Sequence, residues 1–572
     1  MFDLNLLEFP KILNKISVYA TLNETREAIL NIEPLSDKDT IDEVLSETEE
    51  TLNLLYRLQD PELYPFDLSF SIDRIRLGSF LNVREFLEIL KLALNVSKLT
   101  QYFKKGESLG IPLDHIKKSF NNLVSLKDVK DIINQVLDVD GNILDNASLE
   151  LSKIRRNIHI YESEITQKLN QILKEKSQIL SESIITIRNG HRVIPVNSNY
   201  KSLIKGIIYD ESQSGQTVYI EPYSCIELEN KINLLKTDEE KEIEKILYDL
   251  SNKIFEHSFD IINDYNIVLY FDLLFAKSKY AKEIDAIKPI ISNDINLIDA
   301  RHPLIDPEKI VPNTISFKEL KTMIITGPNT GGKTVVLKTL GLLSLMAQSG
   351  ILIPVKDGSC IKVFDSIYAD IGDEQSIEQN LSTFSSHMRR IVNITENVSE
   401  NSLILLDELG SGTDPKEGAS LAISILNYLR RRNVYIITTT HYPELKLYAY
   451  NDEDILNASV EFDVDSLKPT YKLLIGISGR SNAFLISKRL GLNNEIIKEA
   501  KSLNFDLKTK ESSLVNKLER QSIENQKIKD ELMLKEKELE TLIQEEKDKN
   551  KLHEIEYSKK IDEINTKRNE LL

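Results

Sequence analysis

Apolar residues recur at intervals of three and four through most of the first 300 positions, a spacing typical of amphipathic helices. Breaks at proline- and glycine-containing stretches divide residues 1–146 into several helices, and we predict that this part is a helical core. From 147 to 181 the apolar positions follow one narrow seam, and 226–255 carries a matching seam. Two long helices over 147–262 are therefore predicted to form an antiparallel arm.

The insert between these helices has a different pattern. Residues 184–222 contain four short β-type runs separated by polar turns such as Asn189-Gly190. A small β-rich module at the end of an arm is poorly placed to build a core and well placed to touch a partner. After the arm, residues 263–300 are predicted to return to the core as helix.

Strands and helices alternate from 301 to 505, which predicts an α/β domain. Residues 506–572 form a charged helical pattern with broken heptads and no glycine or proline, which predicts a coiled-coil arm. The fold class expected is thus multidomain: a helical core, a long helical arm with a β-rich insert, an α/β domain and a charged C-terminal arm.

Composition narrows the class of protein. Of 572 residues, 41% are hydrophobic and 28% charged, as in proteins that fold in water. No apolar run is long enough for a membrane span, no signal peptide is evident, and the two cysteines lie far apart, so we expect a cytoplasmic protein without a membrane partner. The net charge of −18 excludes a uniformly basic nucleic-acid binder but leaves room for a local basic patch.

One stretch carries the strongest chemical signal. An apolar run at 323–325 leads into Gly-x-x-x-x-Gly-Lys-Thr and then a helix-forming run, which is the context of a phosphate-binding loop. Backbone N–H groups and the helix dipole would hold phosphates, with Mg²⁺ on the threonine hydroxyl. The alternative is an ordinary glycine turn. The predicted ATP-binding residues are Gly327, Pro328, Asn329, Thr330, Gly331, Gly332, Lys333 and Thr334.

Two further strands end in polar side chains. Asp407 and Glu408 follow the apolar run 402–406, where an aspartate can hold Mg²⁺ and a following carboxylate can polarise water. His441 follows the run 434–439 and is a candidate to touch the γ-phosphate or the water. Acidic pairs at strand ends are common, and most histidines do no chemistry. Together with the phosphate loop, however, this set predicts hydrolysis of ATP with Mg²⁺. Residues 301–505 are therefore predicted to be an α/β P-loop ATPase domain of the ABC type.

The β-rich insert contains local positive charge despite the acidic whole. Its candidate nucleic-acid contacts are Arg188, Arg192, Lys201 and Lys205. Phosphate contacts need only well-spaced cations, so two interpretations stay open: a phosphate-binding surface and a solvated basic face.

Five motifs in order resemble those of the MutS family of ATPases. They are the phosphate loop G-P-N-T-G-G-K-T at 327–334, S-T-F-S-S-H-M at 382–388, D-E-L-G-S-G-T-D-P at 407–415, T-T-H-Y-P-E-L at 439–445, and a dimerising helix-turn-helix near 476–500 that begins S-G-R-S-N-A-F at 478–484. Residues 190–196 and 204–222 are similar to the second bacterial branch, MutS-two. In that branch the arm is called a lever and its end a clamp.

The resemblance implies a homodimer with two composite ATP sites. Each phosphate loop would be closed by Ser382 and Thr383 of the other subunit. ATP would move the levers and gate a clamp on branched DNA, which suppresses homologous recombination. The alternative substrate is the rRNA of collided ribosomes, which such a machine would sense and split.

One departure limits what the resemblance implies. Family members normally continue into a small MutS-related (Smr) nuclease domain, and neither its leucine-aspartate-leucine nor its histidine-glycine motif occurs in residues 1–572. Endonuclease activity is therefore not expected of these residues. A more remote alternative is an ABC-type transporter or chromosome-organising ATPase. That class requires a Leu-Ser-Gly-Gly-Gln signature, which the sequence does not contain.

Overall fold

The computed structural model describes residues 2–328, 331–372, 383–463, 468–477 and 491–505. It also describes seven single residues in helix further along the chain, at positions 487, 528, 532, 535, 539, 543 and 546. Most of the predicted C-terminal arm and helix-turn-helix therefore lies outside the described residues.

The chain forms two compact units, and each is assembled from segments that are apart in sequence. One unit contains Leu13–Ile32 and Ser46–Glu283. The other contains Met1–Ile12, Glu33–Leu45 and the described part of Ile284–Leu572.

Helices account for most of the first 283 residues. Their bounds are α1 Phe9–Ser17, α2 Asn23–Leu30, α3 Lys38–Arg57, α4 Ile72–Arg76, α5 Val83–Ser108, α6 Lys117–Asn121, α7 Lys127–Asn134, α8 Leu149–Glu175, α9 Tyr223–Phe255 and α10 Ser258–Glu283. Phe103 of α5 packs against Phe271 of α10 with ring centroids 4.5 Å apart, and both side chains are fully buried. No helix among the described residues is long and apolar enough to cross a membrane.

The long helices α8 and α9 pack along the seam that the sequence predicts. Leu151, Ile158, Ile165 and Leu169 of α8 are all buried, at intervals that keep them on one face. Ser148 begins α8 by accepting the backbone N–H of Leu151 at 3.0 Å, a standard N-cap. Ile158, Ile165 and Leu169 share one apolar cluster with residues of α9 and of the sheet between the helices, whereas Leu151 belongs to the cluster around α5 and α10.

That sheet contains four antiparallel strands in the order β1-β2-β4-β3. Their bounds are β1 Thr186–Arg188, β2 His191–Asn197, β3 Gly206–Glu211 and β4 Thr217–Pro222. Asn189 and Gly190 both have positive φ, +50° and +83°, which suits a two-residue hairpin turn between β1 and β2. Ile194, Val196, Val218 and Ile220 lie on one face of the sheet, and that face is buried.

The prediction of helix over 263–300 was wrong for its second half. Helix α10 ends at Glu283, and strands β5 (Ile290–Ser292) and β6 (Asn296–Ala300) follow. Pro289 removes a backbone donor and Asn293-Asp294 favours a turn, so the apolar residues here lie in short extended runs. Together with β7 (Asn313–Ser316) and β9 (Cys360–Lys362) they form a four-stranded sheet in the order β5-β9-β6-β7.

A six-stranded sheet organises the rest of this unit, in the order β10-β11-β12-β8-β13-β14. All pairs are parallel except β13 with β14. The strands are β8 Thr322–Thr326, β10 Ser366–Asp370, β11 Ser402–Leu406, β12 Tyr435–Thr440, β13 Ile455–Asp463 and β14 Lys468–Ile475. The helices are α11 Lys333–Gln348, α12 Thr383–Asn397, α13 Pro415–Arg430, α14 Pro443–Asn451 and α15 Asn494–Phe505.

The first residues of the chain complete this unit. Phe2 bridges to Ile367 at the β10 edge of the sheet, and Asp3 donates its backbone N–H to the Ile367 carbonyl at 3.0 Å. Leu7 packs so closely on Gly341 of α11 that a Cβ there would lie 2.7 Å from a Leu7 methyl. Glu8 forms an ion pair with Lys338 of the same helix at 3.1 Å.

Candidate active site

Three neighbouring parallel strands deliver the candidate catalytic residues to one edge of the six-stranded sheet. Thr326 at the end of β8 pairs with Thr440 at the end of β12, and Leu406 at the end of β11 pairs with Thr438. The loops that follow these strands therefore leave the sheet side by side, where α/β proteins bind their ligands.

The phosphate loop has the backbone conformation that its glycines predict. Gly327 has φ +130° and Gly332 has φ +89°, values that other residues rarely adopt. A Cβ on Gly331 would lie 2.5 Å from the side chain of Val460, so no larger residue fits. Helix α11 begins directly after the loop, at Lys333, and its free N–H groups add positive potential there. Asn329 and Thr330 lie outside the described residues, and Pro328 is half-buried within the loop.

Lys333 is held inside the loop, with 1% of its side chain exposed. Its ammonium group donates to the carbonyl of Gly327 at 2.9 Å. Burial lowers the pKa of Lys333, while the carboxylates of Glu408 and Asp407 act in the opposite direction. The cation thus lies among the loop backbone and both predicted acidic residues, where a phosphate chain would be bound.

Thr334 and Asp407 are in direct contact. The Thr334 hydroxyl donates to Asp407 Oδ2 at 2.6 Å, and the hydroxyl of Thr439 donates to Asp407 Oδ1. A hydroxyl beside a carboxylate is the hard oxygen donor set that Mg²⁺ prefers when phosphate and water supply its other ligands. The residues predicted for Mg²⁺ therefore fit the ion.

Glu408 has an unusual backbone. Its φ is +47°, in the left-handed region, which costs a residue other than glycine about 1–3 kcal/mol. The backbone N–H of Glu408 donates to the Thr439 hydroxyl at 2.8 Å, which holds this conformation. Strain of this kind clusters at functional sites, because it directs a side chain where regular structure would not.

The segment after Glu408 is fixed by two glycines that touch. A Cβ on Gly410, which has φ +87°, would lie 2.5 Å from the carbonyl oxygen of Gly418. The Tyr442 hydroxyl donates to the Gly410 carbonyl at 2.9 Å. Asp414 caps α13 by accepting the N–H groups of Lys416 and Glu417. This loop is thereby tied to the residue that follows His441.

His441 lies at the same edge of the sheet, directly after β12, and its side chain is exposed. Its ring is 4.6 Å from the ring of Tyr442. His441 is linked to the other candidate residues by its place at the same edge of the sheet. Ser382 and the side chain of Thr383 lie outside the described residues, although α12 begins at Thr383.

The four cations of the β-rich insert differ in their surroundings. Arg192 is three-quarters buried and contacts two carboxylates, Glu162 of α8 at 2.8 Å and Glu229 of α9 at 3.1 Å. Arg188 pairs with Asp210 at 3.2 Å and its guanidinium lies 4.6 Å from the centre of the Tyr219 ring.

Lys201 and Lys205, by contrast, are exposed. The structure therefore separates the predicted set into one arginine that joins the sheet to both long helices, one arginine that pairs across strands, and two lysines that face solvent.

Sequence reasoning missed three polar residues beside the site: Thr439, Asp370 and His387. Thr439 contacts both acidic residues, and the buried carboxylate of Asp370 faces His387 of α12. A polar residue at the end of an otherwise apolar strand is the signal that was available for Thr439 and Asp370. Which helix or loop each of them faces depends on the strand order, which local pattern does not give.

Comparison with known proteins agrees with this geometry. The profile of MutS domain V matches residues 323–508, which include the phosphate loop and the acidic pair. Over 508 residues the chain is 46% identical to the protein named Endonuclease MutS2 of Bacillus velezensis, an alignment covering 87% of this chain and 64% of that protein. The chain belongs to the MutS2 branch of the MutS family.

Other MutS2 proteins match to a similar extent. The chain is 46% identical over 505 residues to the Putative endonuclease MutS2 of Bacillus subtilis, and 43% identical over 504 residues to Endonuclease MutS2 of Finegoldia magna. Each alignment covers 87% of this chain and 64% of the relative. The chain thus spans somewhat less than two thirds of the length of these MutS2 relatives.

Proposed function

We propose that this MutS2-branch chain is a Mg²⁺-dependent ATPase. The contact between Thr334 and Asp407 beside the buried Lys333 carries the proposal, because it brings together the groups proposed to bind phosphate and metal. Lys333 would bind the outer phosphates, Thr334 and Asp407 would hold Mg²⁺, and Glu408 would polarise the attacking water. Bound Mg²⁺ would supply neutralisation of the developing phosphate charge.

His441 is proposed to contact the γ-phosphate or the water. It follows the strand that pairs with β8, so its backbone lies at the mouth of the same site. Because its ring is exposed, this role would require ATP-bound closure of the site. His441→Asn should then lower kcat more than it lowers ATP affinity.

We further propose that two copies form composite ATP sites, in which Ser382 and Thr383 of one copy close the phosphate loop of the other. The mixing experiment that tests this sharing uses Lys333→Ala and Ser382→Ala, each expected to be nearly inactive alone. A mixed dimer contains one site with both defects and one site with none. Mixing should restore up to about half the activity per mixed dimer if the sites act independently.

Subunit exchange must be verified with two different affinity tags. Verified heterodimers that stay inactive would contradict the shared site. A single-chain site would also predict that Ser382→Ala retains its defect in every mixture.

The proposed substrate is branched DNA. The β-rich insert would bind it as a clamp, and the two long helices would act as the lever that moves this clamp. The exposed Lys201 and Lys205 support this proposal, since cations that face solvent are available to phosphates. Their local charge contrasts with the net charge of −18. The names of the MutS2 relatives include endonuclease; we do not extend that activity to residues 1–572, which contain neither Smr motif.

Ribosomal RNA presents the same phosphates, and one experiment separates the two substrates. The protein is sedimented with ribosomes in the presence of ATP, with and without an excess of four-way junction DNA. Branched DNA as the substrate predicts weak pelleting and full competition by the junction. Strong pelleting that the junction does not reduce would favour the ribosome. Lys333→Ala serves as the control for ATP-dependent binding.

A further inference from the structure

A buried carboxylate joins the sheet to the start of α12. Asp370, the last residue of β10, is 1% exposed, and both of its carboxylate oxygens lie 2.9 Å from Nδ1 of His387. Arg390, three residues further along α12, donates to the same carboxylate at 3.4 Å. Residues three apart share one face of a helix, so α12 presents two donors to one acceptor.

The backbone of the same residue supports the acidic pair. The carbonyl oxygen of Asp370 accepts the backbone N–H of Asp407 at 2.8 Å. Asp407 in turn accepts the hydroxyl of Thr334. Asp370 therefore contacts, through its side chain, the helix that begins at Thr383 and, through its backbone, the residue expected to hold Mg²⁺.

Apolar packing holds the first turns of α12 less firmly than its second half, because Met388 there is only partly buried against the core. Its well-buried apolar side chains, Ile391 and Ile394, lie in the second half of the helix. Residues 384–388 are only half-buried. A buried carboxylate is costly unless it is paired, and well-packed apolar residues commonly stabilise such a position as well or better. What the paired carboxylate adds is orientation, because its hydrogen bonds have defined directions.

We propose that His387 and Asp370 are positioning residues for the ATP site of the partner subunit. They hold the start of α12, which directly follows Ser382 in the chain, in the direction needed to reach ATP bound by the other copy. The backbone hydrogen bond from Asp407 to Asp370 also connects the start of α12 to the residue proposed to hold Mg²⁺ in the same subunit. The inference rests on the proposed composite site and assigns a role to two residues outside it.

The first test compares three single variants of the full chain. His387→Ala should lower kcat about ten- to hundredfold, as misplacement of a group near the reacting phosphate does, with little change in ATP affinity. His387→Asn should recover most of the activity, because its amide nitrogen can take the place of Nδ1. Arg389→Ala, exposed on the same helix, is the matched control and should turn over normally.

A purely structural role for His387 predicts a different outcome. The alanine and asparagine variants would then lose turnover in proportion to their loss of thermal stability, and ATP affinity would fall with it. Equal turnover for His387→Ala and the unchanged protein would overturn the proposal outright.

The decisive test is mixing, since it locates the defect. In a dimer of His387→Ala with Lys333→Ala, one site keeps an intact Lys333 and faces an intact α12. Positioning in trans predicts recovery up to about half the activity per mixed dimer. If His387 instead supported Asp407 of its own chain, neither site would be complete and activity would stay low.

The mixture of Lys333→Ala with Ser382→Ala separates the inference from the proposed function. Recovery there without recovery in the His387 mixture overturns only the role of His387 and Asp370. Failure of both mixtures overturns the shared site, and the inference with it. Should the alanine variant not fold, His387→Gln replaces it, because the longer side chain keeps an amide donor but displaces the helix. Its mixture is judged by the same two outcomes.

Discussion

The backbone N–H of Glu408 donates to the hydroxyl of Thr439 at 2.8 Å. That hydroxyl also donates to the carboxylate of Asp407. One side chain on β12 therefore orients both members of the acidic pair at the end of β11. The geometry of the site depends on pairing between strands as much as on the phosphate loop itself.

Replacing Thr439 by valine should separate the acidic pair from this support while keeping the shape of the side chain. We expect kcat to fall about tenfold or more, since a hydrogen bond to a charged group contributes about 1.5–3 kcal/mol. Thr439→Ser retains the hydroxyl and should keep most of the activity. Steady-state ATPase assays of both variants at saturating Mg²⁺ measure the effect, and equal activities would show that the hydroxyl is dispensable.

Glu408→Gln should bind ATP but lose most of its hydrolysis, because an amide cannot polarise water as a carboxylate does. The expected fall in kcat is about a hundredfold or more. Glu400→Gln, in an exposed turn before β11, is the matched control. Binding of a fluorescent ATP analogue and phosphate release are measured on the same samples. Near-normal turnover would exclude Glu408 from this role.

Replacing the cations of the β-rich insert should have different effects, because their surroundings differ. Lys201→Ala with Lys205→Ala should flatten the dependence of log K for duplex DNA on log salt, by about 0.9 for each phosphate that the protein no longer neutralises. Arg192→Ala should instead lower the thermal midpoint, because it leaves Glu162 and Glu229 without their shared cation, a loss of roughly 1–3 kcal/mol. An unchanged salt slope in the double lysine variant would mean that these lysines are only solvated surface.

Alanine substitutions at two glycines with the same φ can separate the cost of backbone strain from the cost of steric overlap. Gly410 and Gly476 both have φ +87°, but a Cβ on Gly410 would meet the Gly418 carbonyl, whereas a Cβ on Gly476 would have no atom of the described residues within 4 Å. Alanine at 476 should cost about 1–2 kcal/mol from backbone strain alone. Alanine at 410 should cost a further 1–3 kcal/mol or so from overpacking. Thermal unfolding of the two variants gives the comparison, and equal midpoints would contradict it.

The contribution of His302 to stability should fall in mild acid. Burial lowers the pKa of His302 to about 4, and its Nδ1 accepts the N–H of Leu304 at 3.3 Å, so the folded chain keeps it neutral. Below about pH 6.5 the unfolded chain binds a proton that the folded chain does not. The contribution of His302 to the unfolding free energy is therefore constant above this range and falls by roughly 3 kcal/mol down to about pH 4.

His302→Gln cannot titrate and should show a smaller loss than the unchanged protein over that range. His159→Gln, an exposed histidine on α8, is the control and should follow the unchanged protein. The three proteins are compared by their thermal midpoints between pH 4 and 7. Parallel curves for all three would remove His302 as the source.

Local pattern was sufficient where a residue's role depends on its near neighbours. The seam of α8, the four strands of the insert and the phosphate loop all follow from spacing within about thirty residues. The same reasoning predicted helix for 290–300, because short apolar runs fit both the helical and the strand period. Only Pro289 and the turn at 293–294 favour strands there.

What the sequence could not supply are relationships across the sheet. Thr439 faces Glu408 because β12 lies beside β11, and His387 faces Asp370 because α12 packs at the end of β10. Neither the strand order nor the left-handed backbone of Glu408 produces a periodic pattern in the amino-acid sequence. The carboxylates could thus be named in advance, whereas the groups that orient them could not.

The pairing of Phe2 and Asp3 with β10 has a consequence for how the chain is made. These residues leave the ribosome long before Ile367 does, so the edge of the six-stranded sheet can close only late in synthesis. The helical unit formed by residues up to Glu283 is completed earlier. A gene fragment starting at residue 284 would lack Leu7 and Glu8 against α11 and would leave the β10 edge open to strands of other molecules. For expression of an isolated ATPase unit, the first dozen residues and Glu33–Leu45 therefore belong with the last half of the chain.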